Sequence, residues 1–126
     1  MEPSRRLFVA IFGAVLMLPL PASAHEPRKG PNGGELVDAG SYHVEVVGKG
    51  MSLEVYVSDA LDRPLKAQDF KALAILVIDG KTHRMPLEAL ADGTKLAATA
   101  PASITRVRGV IQLTNKDGKT VTGRVN

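Results

Sequence analysis

The sequence contains no cysteine and no tryptophan. Without thiols it has no disulfide, no thiolate metal site, no cysteine nucleophile and no lipid anchor on an amino-terminal cysteine. Aromatic rings are scarce, and beyond residue 24 only Tyr42, Tyr56 and Phe70 supply them. Stacking platforms for bases or sugars are therefore not expected. A charge of one sign is also missing: 16 Lys and Arg stand against 13 Asp and Glu in 126 residues, with no basic block. That balance argues against a nucleic-acid footprint.

Only one long apolar run occurs, and it lies at the start. Arg5 and Arg6 precede the uncharged residues 7–20, and Pro19 and Pro21 stand just before Ala22-Ser23-Ala24. A bilayer-spanning helix needs about 20 residues, so this shorter core with its small-x-small end reads as a signal peptide, residues 1–24. The paired arginines leave both the general secretory and the twin-arginine routes open. Cleavage between Ala24 and His25 predicts a periplasmic or secreted protein whose first residue is His25. Its remaining 102 residues are enough for one domain.

Residues 25–34 hold two prolines and three glycines and predict a flexible arm ending in an Asn-Gly turn. From there the period is two. Tyr42, Val44 and Val46 alternate with His43, Glu45 and Val47, and Leu53, Val55 and Val57 alternate with polar neighbours. These runs predict strands joined by a hairpin at Gly48-Lys49-Gly50. Residues 72–78 are apolar throughout, which predicts a strand buried on both sides, and Asp79-Gly80 turns it into a second hairpin at residues 81–87. Further strands are expected at 96–100, 107–113 and 120–125, with a turn at 115–118. Residues 62–71 are the one place for a short helical turn. Seven or eight short strands with regular turns predict an all-β domain over residues 35–126, an antiparallel, immunoglobulin-like β-sandwich.

Catalytic inventory is thin. No Gly-x-Ser-x-Gly, phosphate loop or His-Glu-x-x-His occurs, and acidic residues are scattered singly along strands. A binding role is expected, not an enzyme. The three histidines carry the sharper hypothesis. A free amino-terminal His25 offers an α-amino and an imidazole nitrogen, with ordinary pKa values of about 7.7–8.0 and 6.5, so a metal can displace both protons at neutral pH. Nitrogen donors of this kind favour Cu(II) among divalent first-row ions. Pro27 lacks the N–H that would extend the chelate, so the folded domain must complete the site. His43 and Glu45 project from one strand face, and His83 shares a face with Met85 and Leu87. The candidate metal ligands are thus His25, His43, Glu45 and His83, for Cu(II) or another divalent transition metal.

The run Gly30-Pro31-Asn32-Gly33-Gly34 followed by Tyr42-His43-Val44-Glu45 resembles a motif of small exported bacterial proteins. The same motif occurs in modules in or beside periplasmic adaptors of heavy-metal efflux systems. Residues 53–59, 74–77 and 118–121 are similar to that group as well. The resemblance implies an accessory role in metal homeostasis or efflux, with a periplasmic efflux component as partner. Many of these proteins have His before the Gly-Gly pair where this chain has Asn32, so the implied metal role reaches His43 and Glu45 only. The alternative expectation is a metal-free module that docks onto an envelope protein by a strand edge or by the Gly-Pro-rich arm.

Overall fold

The computed structural model describes residues 13–14 and 28–126. His25 and nearly all of the expected signal, its cleavage site included, lie outside the described residues. From residue 28 the two-residue period becomes nine strands. They are β1 (Arg28–Lys29), β2 (Glu35–Ala39), β3 (Tyr42–Lys49), β4 (Ser52–Ser58), β5 (Lys71–Ile78), β6 (Lys81–Ala89), β7 (Leu96–Thr99), β8 (Gly109–Thr114) and β9 (Thr120–Val125). A 3-10 turn at Ala67–Asp69 lies within the segment expected to hold one.

Every pairing is antiparallel, in the order β1-β2-β3-β4-β7-β6-β5-β8-β9. The class is all-β, and the arrangement is one curled sheet. Its two halves are joined between β6 and β7 only by the pairs Glu88↔Ala97 and Ala89↔Leu96. At the far ends β2 lies against β9, with Gly40 beside Val121 and Gly123 beside Val37 and Ala39. Tyr42 reinforces this closure: its hydroxyl accepts from Asn115 Nδ2 at 3.1 Å, and its ring meets Phe70 edge to face at 5.2 Å.

Alternation places the core where the pattern predicts it. Val44, Val46, Leu53, Val55, Val57, Leu76, Ile78, Ile111 and Leu113 are all buried in one cluster. Burying each such side chain contributes about 1.5–3 kcal/mol before conformational entropy is counted. β5 departs from expectation. Ala72, Ala74, Leu76 and Ile78 face the core, but Leu73, Ile75 and Val77 are only half-buried on the outer face. The Asp79-Gly80 turn has both residues at positive φ, 52° and 75°, as a tight two-residue hairpin of matching twist requires.

Several boundaries differ from the sequence reading. β3 runs through Gly48 and Lys49, and the hairpin turns instead at Gly50-Met51, because Gly48 without a side chain lets Ile104 and Val107 pack against the strand. β6 runs on past residue 87 to Ala89, and β8 begins at Gly109. The arm is the larger correction. Its residues 28–34, expected to be flexible, are tied to the sheet: β1 pairs with β2, and the turn that follows is clasped by a buried carboxylate.

Candidate functional site

That carboxylate is Glu45. On β3 it sits between Leu36 of β2 and Tyr56 of β4, on the face opposite Val44 and Val46. At 2 % exposure it is the only buried charged side chain among the described residues. An isolated buried carboxylate is costly, so it must be hydrogen-bonded. The turn supplies the donors. Gly30 and Gly34 close it, with Gly34 O accepting from Gly30 N at 2.9 Å and Gly30 O accepting from Gly33 N at 3.1 Å. Asn32 N donates to both Glu45 oxygens, at 2.9 and 3.2 Å. Asn32 Nδ2 donates to Oε1 at 2.9 Å, and Gly34 N donates to Oε2 at 2.8 Å. A Cβ on Gly30 would overlap Glu45 Cδ, so glycine is what permits the close approach. The Gly-Pro-Asn-Gly-Gly…Tyr-His-x-Glu pattern is, in this chain, a turn and the acceptor that holds it.

His43 lies two residues away on the same face but outside this cover. Its Nδ1 is 2.6 Å from Asp62 Oδ1, and its Nε2 is 3.4 Å from Asp38 Oδ1. Arg28 reaches the same Asp38 oxygen at 2.7 Å. Asp62 takes a left-handed conformation, φ 61°, in the turn after β4, where its amide donates to Asp59 O at 3.0 Å. The Asp59 carboxyl in that turn is held below the usual range, first by the Arg63 amide that donates to it. Between His43's neighbourhood and the clasp lies a cavity of about 300 Å³, bordered by Lys29, Asn32, Tyr56, Asp62, Pro64 and Thr94.

Beside it on β4, Glu54 binds Lys95 Nζ at 3.0 Å and accepts from the Tyr56 hydroxyl at 3.1 Å. The Lys95 hydrogen bond holds the Glu54 carboxyl below its ordinary value. The same bond raises the Lys95 ammonium. Tyr56 is pushed up, first by desolvation and then by Glu54.

His83 is elsewhere. It lies on β6, opposite Leu76 of β5 and three strands from β3 in the sheet order. It lines a second and larger depression, about 690 Å³, where the two halves of the sheet part. Beyond Glu88, β6 has only β5 as a partner, and Ala98 and Thr99 of β7 have only β4. Pro86 has no N–H to give β5, so its nitrogen faces this cleft. By alternation, Arg84 turns its backbone N–H and C=O the same way.

The structure thus brings together His43 with Asp38 and Asp62, and separately Glu45 with Asn32 and Gly34. It does not bring Glu45 and His83 to His43 as a common ligand set. Both Glu45 oxygens already accept hydrogen bonds, and the carboxylates at His43 approach opposite ring nitrogens. Among the described residues no three His, Asp or Glu side chains are grouped so as to hold one ion. The sequence marks Asn32 only as a turn residue standing in place of a His, not as a donor to Glu45, and it does not mark Asp38 or Asp62. One signal pointed to the clasp: Glu45 is the lone charge in Val44-Glu45-Val46-Val47, and apolar Val47 shares its face, so that face is covered. No protein-family profile matches the chain, and no curated protein or solved structure shows significant similarity to it.

Proposed function

We propose that this chain is an exported binding module without catalytic activity, which takes an extended segment of an envelope protein into the cleft between β6 and β7. The cleft itself carries this reading. Two strand edges diverge there with unpaired backbone groups, and main-chain pairing to such an edge is a recurring way to bind an extended peptide. Pro86 removes one donor from the edge, so a bound strand would pair at Arg84 and on the residues before it. Met85, Ala98 and Ala100 give the cleft apolar contacts for alternate side chains.

The test uses a cross-linking amino acid at Thr99, with Lys119 on the remote β8–β9 turn as control. Thr99 should capture one discrete partner and Lys119 none. Arg84→Pro, which removes a cleft-facing amide without touching the β5 ladder, should abolish capture. Arg84→Lys, which keeps that amide, should retain it. Equal labelling from both positions would sink the reading.

A second reading follows from the His43 surface. The metal-accessory role, with Cu(II) held by His25 and His43 for a periplasmic efflux component, is supported by where the chain enters the sheet. Arg28 binds Asp38, the residue beside His43, and His25 is three residues earlier, a covalent reach of about 10 Å. Glu45 has no ligand role in this version, since its oxygens serve the turn. Titration of the exported chain with Cu(II) tests it: an added residue before His25, or His43→Ala, should weaken binding markedly. Affinity should also fall below about pH 6, where amine and imidazole hold their protons.

A further inference from the structure

The outer face of the half-sheet β6-β5-β8-β9 is half apolar and cationic. Its cross-strand rows are set by the register. One runs Pro86–Leu73–Gln112–Thr122, and the next runs Arg84–Ile75–Val110–Arg124. Leu73, Ile75, Val77 and Val110 are half-buried, and Arg84 and Arg124 are exposed on either side of them. Lys71 adds a third cation to these outward rows, and Glu88 is their only carboxylate. Neither arginine makes an ion pair with any carboxylate among the described residues.

We propose that this face docks an acidic amphipathic helix of a protein partner, its apolar ridge on Leu73, Ile75 and Val77 and its flanking carboxylates on Arg84 and Arg124. The dimensions fit. Three interstrand steps separate the two arginine positions by about 14 Å, and a helix with its side chains is about 10–12 Å across. Guanidinium groups take carboxylates in a bidentate geometry, which fixes the helix between them. The half-buried state of the aliphatic stripe favours a protein segment over a lipid surface. An interfacial element must sink apolar groups about 5–10 Å into the headgroup region, whereas Leu73, Ile75 and Val77 are already partly covered by their neighbours. The site adjoins the cleft, whose rim Arg84, Pro86 and Glu88 also line, but it uses a different group of Arg84. It uses the Arg84 guanidinium, whereas strand addition uses the Arg84 backbone.

The experiment titrates the exported, purified chain with a synthetic helix carrying leucine at every third or fourth position and glutamate on both flanks. A counterpart with lysine flanks serves as control. The glutamate peptide should shift the amide resonances of Ile75 and Val110, and its affinity should fall steeply with added salt. Arg84→Glu with Arg124→Glu should weaken it about tenfold or more, while Arg84→Lys with Arg124→Lys should keep most of it. Both arginines are exposed, and the salt and lysine-peptide arms use the unaltered chain. Equal binding of the two peptides would overturn the proposal, as would shifts confined to the cleft at Ala98 and Thr99. So would arginine-dependent binding to phosphatidylglycerol vesicles with no binding of the peptide.

Discussion

Replacing Glu45 by alanine removes one carboxylate and leaves three donors, Asn32 N, Asn32 Nδ2 and Gly34 N, without their acceptor. Hydrogen bonds to a charged group are worth about 1.5–3 kcal/mol each, but the three do not add. Asn32 is exposed, so water can satisfy its donors once the turn lets go, and the cost of burying the carboxylate disappears as well. The net loss should be about 2–3 kcal/mol, a large part of the roughly 5–15 kcal/mol that stabilises a domain. Glu45→Gln keeps the shape but sets an NH2 against a donor, and should cost about 1 kcal/mol. Urea unfolding measures the totals, and native-state hydrogen exchange locates them. In the unaltered chain the Asn32 and Gly34 amides should be protected. In Glu45→Ala they should exchange freely while Val46 and Val55 in the paired strands stay slow, because the turn can open without the sheet. A loss below about 0.5 kcal/mol, the size of an ordinary surface change, would refute the clasp. Fast exchange at Asn32 in the unaltered chain would refute it equally.

The core offers a second check: Leu53 is fully buried on β4, so Leu53→Ala should cost about 2–5 kcal/mol in denaturant unfolding. The Glu54–Lys95 pair gives a pH signature. Glu54 is depressed, so its contribution is present above the unfolded carboxyl value of about 4.3 and lost as pH falls through its lower folded value. Lys95 is raised, so its contribution holds below about 10.4 and is lost only above that. Lys95→Met should therefore destabilise the chain at pH 7, and the gap should close as unfolding midpoints are followed down to about pH 3. On the copper reading, His43→Ala should weaken Cu(II) binding in calorimetry while Glu45→Gln leaves it unchanged. The reverse ranking would return Glu45 to the ligand set.

Period-two alternation made the interior legible. Each of Val44, Val46, Leu53, Val55 and Val57 is inward because register and burial are one constraint in a strand with a covered face. Residues 72–78 misled for the same reason read the other way: an unbroken apolar run has no alternation to show which side is open. The Asn32-Gly33 turn was legible, but β1 and the anchoring of that turn were hidden, because glycine and proline report local freedom. The turn is held by Glu45, which lies 13 residues beyond Asn32, and β1 by its pairing with β2. The His43 cluster draws on β2, β3 and the turn after β4, and no spacing along the chain announces that meeting.

His43 and Glu45 show how one spacing serves two different ends. Two residues apart on a strand, they share a face, and on that ground alone a metal could join them. What separates them is the cover above the strand. The Asn32 turn reaches down to Glu45 and takes its lone pairs, while β2 and the turn after β4 bring Asp38 and Asp62 to His43 instead. A strand face therefore does not define a ligand set until the element lying over it is known. In this chain the cover over Glu45 is the Gly30–Gly34 turn between β1 and β2, and the clasp fixes that turn on the sheet. Releasing it with Glu45→Ala should loosen the turn and leave the β6–β7 cleft, which rests on other strands, unaltered. Strand capture in that cleft should therefore survive Glu45→Ala, and its loss in a chain that is still folded would mean that the turn, and not the cleft, takes the partner.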